Sequence, residues 1–178
     1  MRVSSLPRDT TDSLLREIHL YNFTGDEVLD VLDSSGKIVH RVVGVGSRVR
    51  IPLGVISALS LREKEIGIFH TQSWPYPSDR DLFSFKNLQR EIGTRSLLSM
   101  LIGFSWYGHD IIWSAEPLST SSWEDFWRKY YYETDRDLSV IDEFFAVTWM
   151  IWHGPTKTYM FGETLSNLDE KLDEIQGR

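Results

Sequence analysis

Apolar residues in the stretch DSLLREIHLY recur at helical spacing, with Leu14, Leu15 and Ile18 on one face behind Asp12, which predicts a first helix from Asp12 to about Tyr21. The period then changes. Val28 to Leu32 and Lys37 to Val43 are rich in branched residues and flank Ser34, Ser35 and Gly36, the pattern of a hairpin and its turn. SRVRI predicts another short strand, stopped by Pro52. Because proline is tolerated in the first turn of a helix, PLGVISALSLRE predicts a second helix with Val55, Ile56 and Leu59 as its apolar face. EIGIF is an almost unbroken apolar run of strand length, the mark of a strand covered on both faces, and His70 follows at its carboxyl end. SDRDLFSFKNLQREIG opens with Ser-x-x-Asp and stops at Gly93, which predicts a capped helix with Leu82, Phe85 and Leu88 inward. SLLSMLIGFSWYGHDIIWS predicts two more strands around Tyr107 and Gly108.

The remaining segment changes character. STSSWEDFWRKYYYETDRD predicts a helix capped at Ser121 or Ser122, with acids in its first turn and many aromatic rings. DEFFAVTWMIWHGPTKTYMFG predicts a hairpin turning at His153 to Lys157, and ETLSNLDEKLDEIQ a polar terminal helix. The fold class is therefore α/β (α+β): a mixed sheet flanked by helices over residues 1-118, with an aromatic-rich helix-hairpin-helix extension over 119-178 packed on that core.

Composition narrows the function. The chain of 178 residues is 41% hydrophobic, enough for a core of its own. A net charge of −7 and a pI of about 5.2 argue against a nucleic-acid partner, which would call for clustered Lys and Arg. The opening residues lack the apolar run of a signal peptide, and no segment approaches the roughly 18 apolar residues of a membrane span, so the expected location is cytoplasmic. With no cysteine, chemistry is left to His, Asp, Glu, Ser and water.

The segment Asp26 to Glu116 resembles the JAB/MPN (JAMM) metalloprotease family, in particular short prokaryotic members related to the RadC proteins. The likeness rests on EVLDVLDSSGKIV, a strand ending in proline, a helix, a strand ending in histidine, and Ser-x-x-Asp opening a helix. In that family a glutamate, a His-x-His pair and the Ser-x-x-Asp build a zinc site. Three protein ligands leave one position for a water whose pKa the metal lowers to about 7. The resemblance implies Glu27 as general base, His70 and Asp81 as zinc ligands, and Ser78 as the group steadying the oxyanion. It also implies a departure: Gln72 stands where the second histidine belongs, and the loop to Ser78 is shorter than usual. A neutral amide is a poor zinc ligand beside imidazole, so zinc is in doubt as a cofactor. The other histidines are His19, His40, His109 and His153, and no spacing places any of them beside His70.

Each residue also has a plainer role. Ser78 and Asp81 make a capping box, His70 a hydrogen-bonded imidazole at a strand end, Glu27 a solvated acid. Two functions follow from the resemblance. One is a degenerate JAB/MPN-like domain, a non-catalytic module for a protein or peptide, gripping its partner through Trp74 and Tyr76 of the WPYP loop or through Trp123 and Trp127 of the aromatic tail. The other is a zinc-dependent peptidase or isopeptidase with an atypical ligand set. The aromatic tail could equally be core or the seam of a homo-oligomer.

Overall fold

The computed structural model describes residues 1–119 and 122–177. Seven strands form one sheet in the order β2-β1-β3-β4-β5-β6-β7: β1 (Val28–Leu32), β2 (Ile38–Val43), β3 (Glu65–Thr71), β4 (Leu97–Trp106), β5 (His109–Pro117), β6 (Phe145–His153) and β7 (Thr158–Glu163). Only β3 and β4 run parallel; every other neighbouring pair is antiparallel. The parallel pair needs a crossover, supplied by α3 (Asp79–Ile92), while the antiparallel pair β4-β5 closes through a tight turn at Tyr107 and Gly108, both with positive φ.

Alternation along the strands sorts side chains into two cores. On one face Leu29, Ile68, Ile102, Ile111, Trp113 and Trp149 pack under α2 (Leu53–Leu59), α3, α4 (Ser122–Arg128), α5 (Ser139–Phe144) and α6 (Leu165–Ile175). On the other, Leu32, Phe69, Leu101, Ile112 and Met150 meet Val3, Leu6 and the inner face of α1 (Arg8–Thr24). Double coverage explains why β1 is buried throughout, whereas the edge strand β2 alternates between half-buried and exposed.

The structure departs from the sequence pattern at several elements. The first helix begins at Arg8, with Pro7 ahead of it and no side-chain cap; Asp12 lies inside it, and Gly25 at φ 76° ends it. SRVRI is not a strand: only an isolated bridge joins Val45 to Arg48, closing a tight turn on the residues that follow β2. Ser122 is the first residue of α4 and not its cap, and the other expected cap, Ser121, lies outside the described residues. A five-residue π-helical stretch, Lys129–Glu133, and α5 carry no pattern that distinguished them from the helix and strand on either side. β6 and β7 extend the same sheet, so the C-terminal segment shares one continuous core with the rest. Among the described residues no helix is long and apolar enough to cross a membrane.

One buried cluster on the α1 face has a measurable consequence. Arg41 Nε donates to Asp30 Oδ1 at 2.8 Å, and a terminal nitrogen of the same side chain pairs with Glu17. Asp30 is fully buried and Glu17 is 5% exposed. Neither Glu17 oxygen has a hydrogen bond of normal geometry. A single guanidinium facing two buried carboxyls neutralises one of them. Burial first, then Asp30, therefore drive the Glu17 carboxyl well above its ordinary value, with Arg41 opposing. An unfolded glutamate releases its proton near 4.5 while the folded one keeps it, so the native state binds the extra proton. Its stabilising contribution is complete below about 4.5 and declines as pH rises through the folded value. Glu17→Gln, which keeps the neutral shape, is expected to flatten the fall of Tm across neutral and alkaline pH, as read by thermal melts in a pH series; an unchanged slope would place the titration elsewhere.

Candidate functional site

Strand register assembles the site. Leu29 of β1 lies opposite His70 of β3, and continuing that register by two residues sets Glu27 beside Gln72. Side chains two apart in a strand share a face, so Glu27, His70 and Gln72 all point toward α3. Val28 N–H donates to Thr71 Oγ1 at 3.0 Å, and Glu27 exchanges main-chain hydrogen bonds of 2.8 Å with Gly44 and Gly46, fixing the start of β1. The chain leaves β3, runs through the loop Ser73–Pro77 and enters α3 at Ser78. There the capping box is complete: Ser78 Oγ accepts from Asp81 N–H at 3.1 Å, and Asp81 Oδ2 accepts from Ser78 N–H at 3.0 Å. The cap turns Asp81 inward, to 3.4 Å from His70 Nε2.

Glu27, Gln72, Ser78 and Asp81 thus border one cleft of about 770 Å³, and Glu27, His70 and Asp81 line a recess of about 60 Å³ beneath it. Burial pushes the Glu27 carboxyl up to about 7, with Asp81 adding to the effect and His70 and Arg80 opposing it. Burial also works against the charged forms of His70 and Asp81, but their mutual contact prevails. The imidazole is held above its ordinary value by Asp81, Gln72 and Glu27, and the carboxylate below its own by His70 and Ser78.

Gln72 decides the chemistry of the centre. Its amide nitrogen donates to the carbonyl oxygens of Trp74 at 2.6 Å and Tyr76 at 2.7 Å, so its Oε1 faces His70 Nε2 at 2.8 Å. The reversed amide would set an oxygen against two carbonyl oxygens. Gln72 Oε1 is therefore an acceptor, and His70 Nε2 carries a proton and donates. A zinc ligand needs a lone pair on the nitrogen that faces the ion, together with two further converging donors. In this arrangement that nitrogen is protonated, and Gln72 is committed to the loop. Among the described residues, no group of three or more His, Cys, Asp or Glu side chains stands so as to hold a metal ion.

The loop is strapped from below. Between the two carbonyls held by Gln72, the Pro75 oxygen accepts from Trp113 Nε1 at 2.8 Å, and the Tyr76 hydroxyl donates to Asp169 of α6. This leaves Trp74 outermost, 60% exposed and edge-on to Tyr76 and Trp106. On the opposite rim Asp79 accepts from the Tyr131 hydroxyl at 2.5 Å and pairs with Arg136 at 3.1 Å, where Asp135 and Arg136 both hold positive φ.

Of the aromatic residues expected to meet a partner, Trp74 and Tyr76 line the cleft. Trp123 does not: it is 1% exposed, stacks on Phe85 and donates to the Leu98 carbonyl, sealing α4 against α3 and the sheet. Trp127 is half-buried beside Phe83, with the Lys86 ammonium over its ring at 4.5 Å. His19 pairs with Asp110, and His109 stacks on His153; among the described residues, His70 is the one histidine at the cleft. Arg136, Tyr131 and Trp113 were not legible as site residues, since only the packing of α4 and the central strands brings them to the rim and floor. Compared with protein families, curated proteins and solved structures, the chain matches none.

Proposed function

We propose that this chain is a metal-free, JAB/MPN-like module that binds an extended segment of a protein or peptide without cleaving it. One observation carries the reading: Gln72, which stands where the resemblance sets the second histidine, uses its amide to lock His70 on one side and the loop carbonyls of Trp74 and Tyr76 on the other. The position expected to hold an ion holds a strut. Support for the family comes from the order of parts, with Glu27 ahead of β1, His70 late in β3 and Ser78 capping α3. Support for binding comes from the cleft, whose walls combine the exposed Trp74 ring, the half-buried Tyr76 and the Arg136 guanidinium, groups that dominate the energetics of recognition surfaces.

Two measurements test this together. Elemental analysis of the purified protein is expected to find no stoichiometric zinc. Peptides selected from a random display library against the native protein are expected to bind it intact, and Trp74→Ala to weaken that binding by about tenfold or more. About one zinc per chain, lost in Asp81→Ala, or peptide hydrolysis lost in Glu27→Gln, would replace this reading with that of an active peptidase.

A further inference from the structure

The sheet ends in an edge with little protection against pairing. β7 is the last strand, and its outer side faces no other element of the sheet. Thr164 N–H donates to the Val147 carbonyl at 3.0 Å, and with Glu163 opposite Thr148 this fixes the alternation. Gly162, Met160 and Thr158 turn their main-chain groups toward β6, leaving those of Tyr159, Phe161 and Glu163 outward. Edge strands usually discourage pairing with charges, proline or bulges. The opposite edge, β2, bears Arg41 and pairs with β1 through a register irregularity between Val31 and Leu32. From Tyr159 to Gly162 there is no charge and no proline, and Tyr159, Met160 and Phe161 are 45%, 48% and 53% exposed. The strand is nonetheless firmly seated: a Cβ at Gly162 would collide with the Trp149 indole lying on it, and that indole donates to the Thr164 carbonyl.

We propose that β7 is the seat of a two-fold homodimer, pairing antiparallel with β7 of a second copy so that Met160 faces its own counterpart across the axis. The register follows from symmetry and charge. A two-fold axis normal to a sheet keeps every side chain on its own face, so facing residues must be an even number of positions apart. Centring on Met160 sets Tyr159 against Phe161 of the second copy, twice, and Lys157 against its Glu163, twice, where Lys157 joins the Arg2 that already pairs with that carboxylate at 2.5 Å. The Tyr159–Phe161 pairs are those whose outward main-chain groups are free to exchange hydrogen bonds. They also join two existing rows of rings, since Tyr159 stacks at 4.4 Å on Trp152 and at 6.1 Å on Phe161 within each chain. Centring on Phe161 would set Tyr159 against Glu163 and Met160 against Gly162; centring on Tyr159 would set Phe161 against Lys157 and Glu163 against Pro155. Met160 is the self-complementary centre. This surface is separate from the cleft and stands whether or not the cleft binds peptide.

Light scattering or sedimentation of the full chain from about 1 to about 200 μM tests it. The native protein is expected to pass from monomer to dimer over that range. Met160→Lys and Met160→Glu each put like charges face to face on the axis, and each alone is expected to associate at least about tenfold more weakly. Mixed in equal amounts they are expected to recover dimers, an outcome that also certifies both as folded. Phe161→Pro, which deletes an outward N–H and leaves the ladder to β6 intact, is expected to remain monomeric with an unchanged near-ultraviolet circular dichroism spectrum. A native protein that stays monomeric throughout, charge variants that dimerise as well as the parent, or a mixture no better than its components would overturn the proposal.

Discussion

Trp113→Ala is expected to destabilise the protein by about 3–5 kcal/mol and to release the cleft loop in the same step. Trp113 is fully buried in β5, among the largest side chains of the core, opposite Ile102 on one neighbouring strand and Trp149 on the other. Truncation removes its transfer free energy and leaves a cavity between two strands that cannot close without bending the sheet. Its indole N–H is also the donor to the Pro75 carbonyl at 2.8 Å, so the middle of the loop loses its anchor. Urea unfolding gives the first number, and hydrogen exchange at Trp74 and Tyr76 the second. A loss below about 1 kcal/mol would mean that the core repacks around the gap and that the loop is held by Gln72 alone.

Gln72→Leu is expected to cost about 2–3 kcal/mol despite its near-equal volume, because the burden falls on the groups left behind. The His70 Nε2–H loses its 2.8 Å acceptor, and the Trp74 and Tyr76 carbonyls lose their shared donor, in a site where Gln72 itself is 8% exposed. His70 then has Asp81 as its remaining partner at 3.4 Å, and the imidazole is expected to swing toward it. Urea unfolding measures the cost, and the ring signals of His70 in nuclear magnetic resonance report the movement. Gln72→His separates the two readings of the centre. A metal-binding site regained by that one change would mark the remaining donors as still positioned, whereas a histidine that binds no zinc would mean the loop straps have fixed the geometry for another use.

Most of the fold was legible because its strands carry strong local signals. The hairpin of β1 and β2, the buried run of β3, the capped α3 and the tight turn between β4 and β5 each combine periodicity with a turn or cap residue. The failures share a cause. SRVRI has strand composition, yet Arg48 pairs back on Val45 across a tight turn, and the residues just before it are tied to the start of β1, where Asp26 Oδ1 accepts from Gly46 N–H at 2.7 Å and Glu27 bonds Gly44 and Gly46. Trp123 read as a partner-binding ring because exposure is not encoded in residue type; the helices packed over the same face turned it into core.

Sequence alone determined most of the elements, the identity of the residues at Glu27, His70, Gln72, Ser78 and Asp81, and the glutamine, not a histidine, two residues after His70. Those are local facts, set by side-chain period, caps and chemistry along a few neighbouring residues. Only the tertiary structure decided what Gln72 does. An amide can accept, donate or ligate, and the choice depends on three groups it cannot specify by itself: an imidazole two residues back, and two loop carbonyls brought over it by Trp113 and by the entry into α3. The same holds for β7, whose apolar residues look like core in the sequence. They remain at the surface because the strand order places them last, with no further strand to cover the edge.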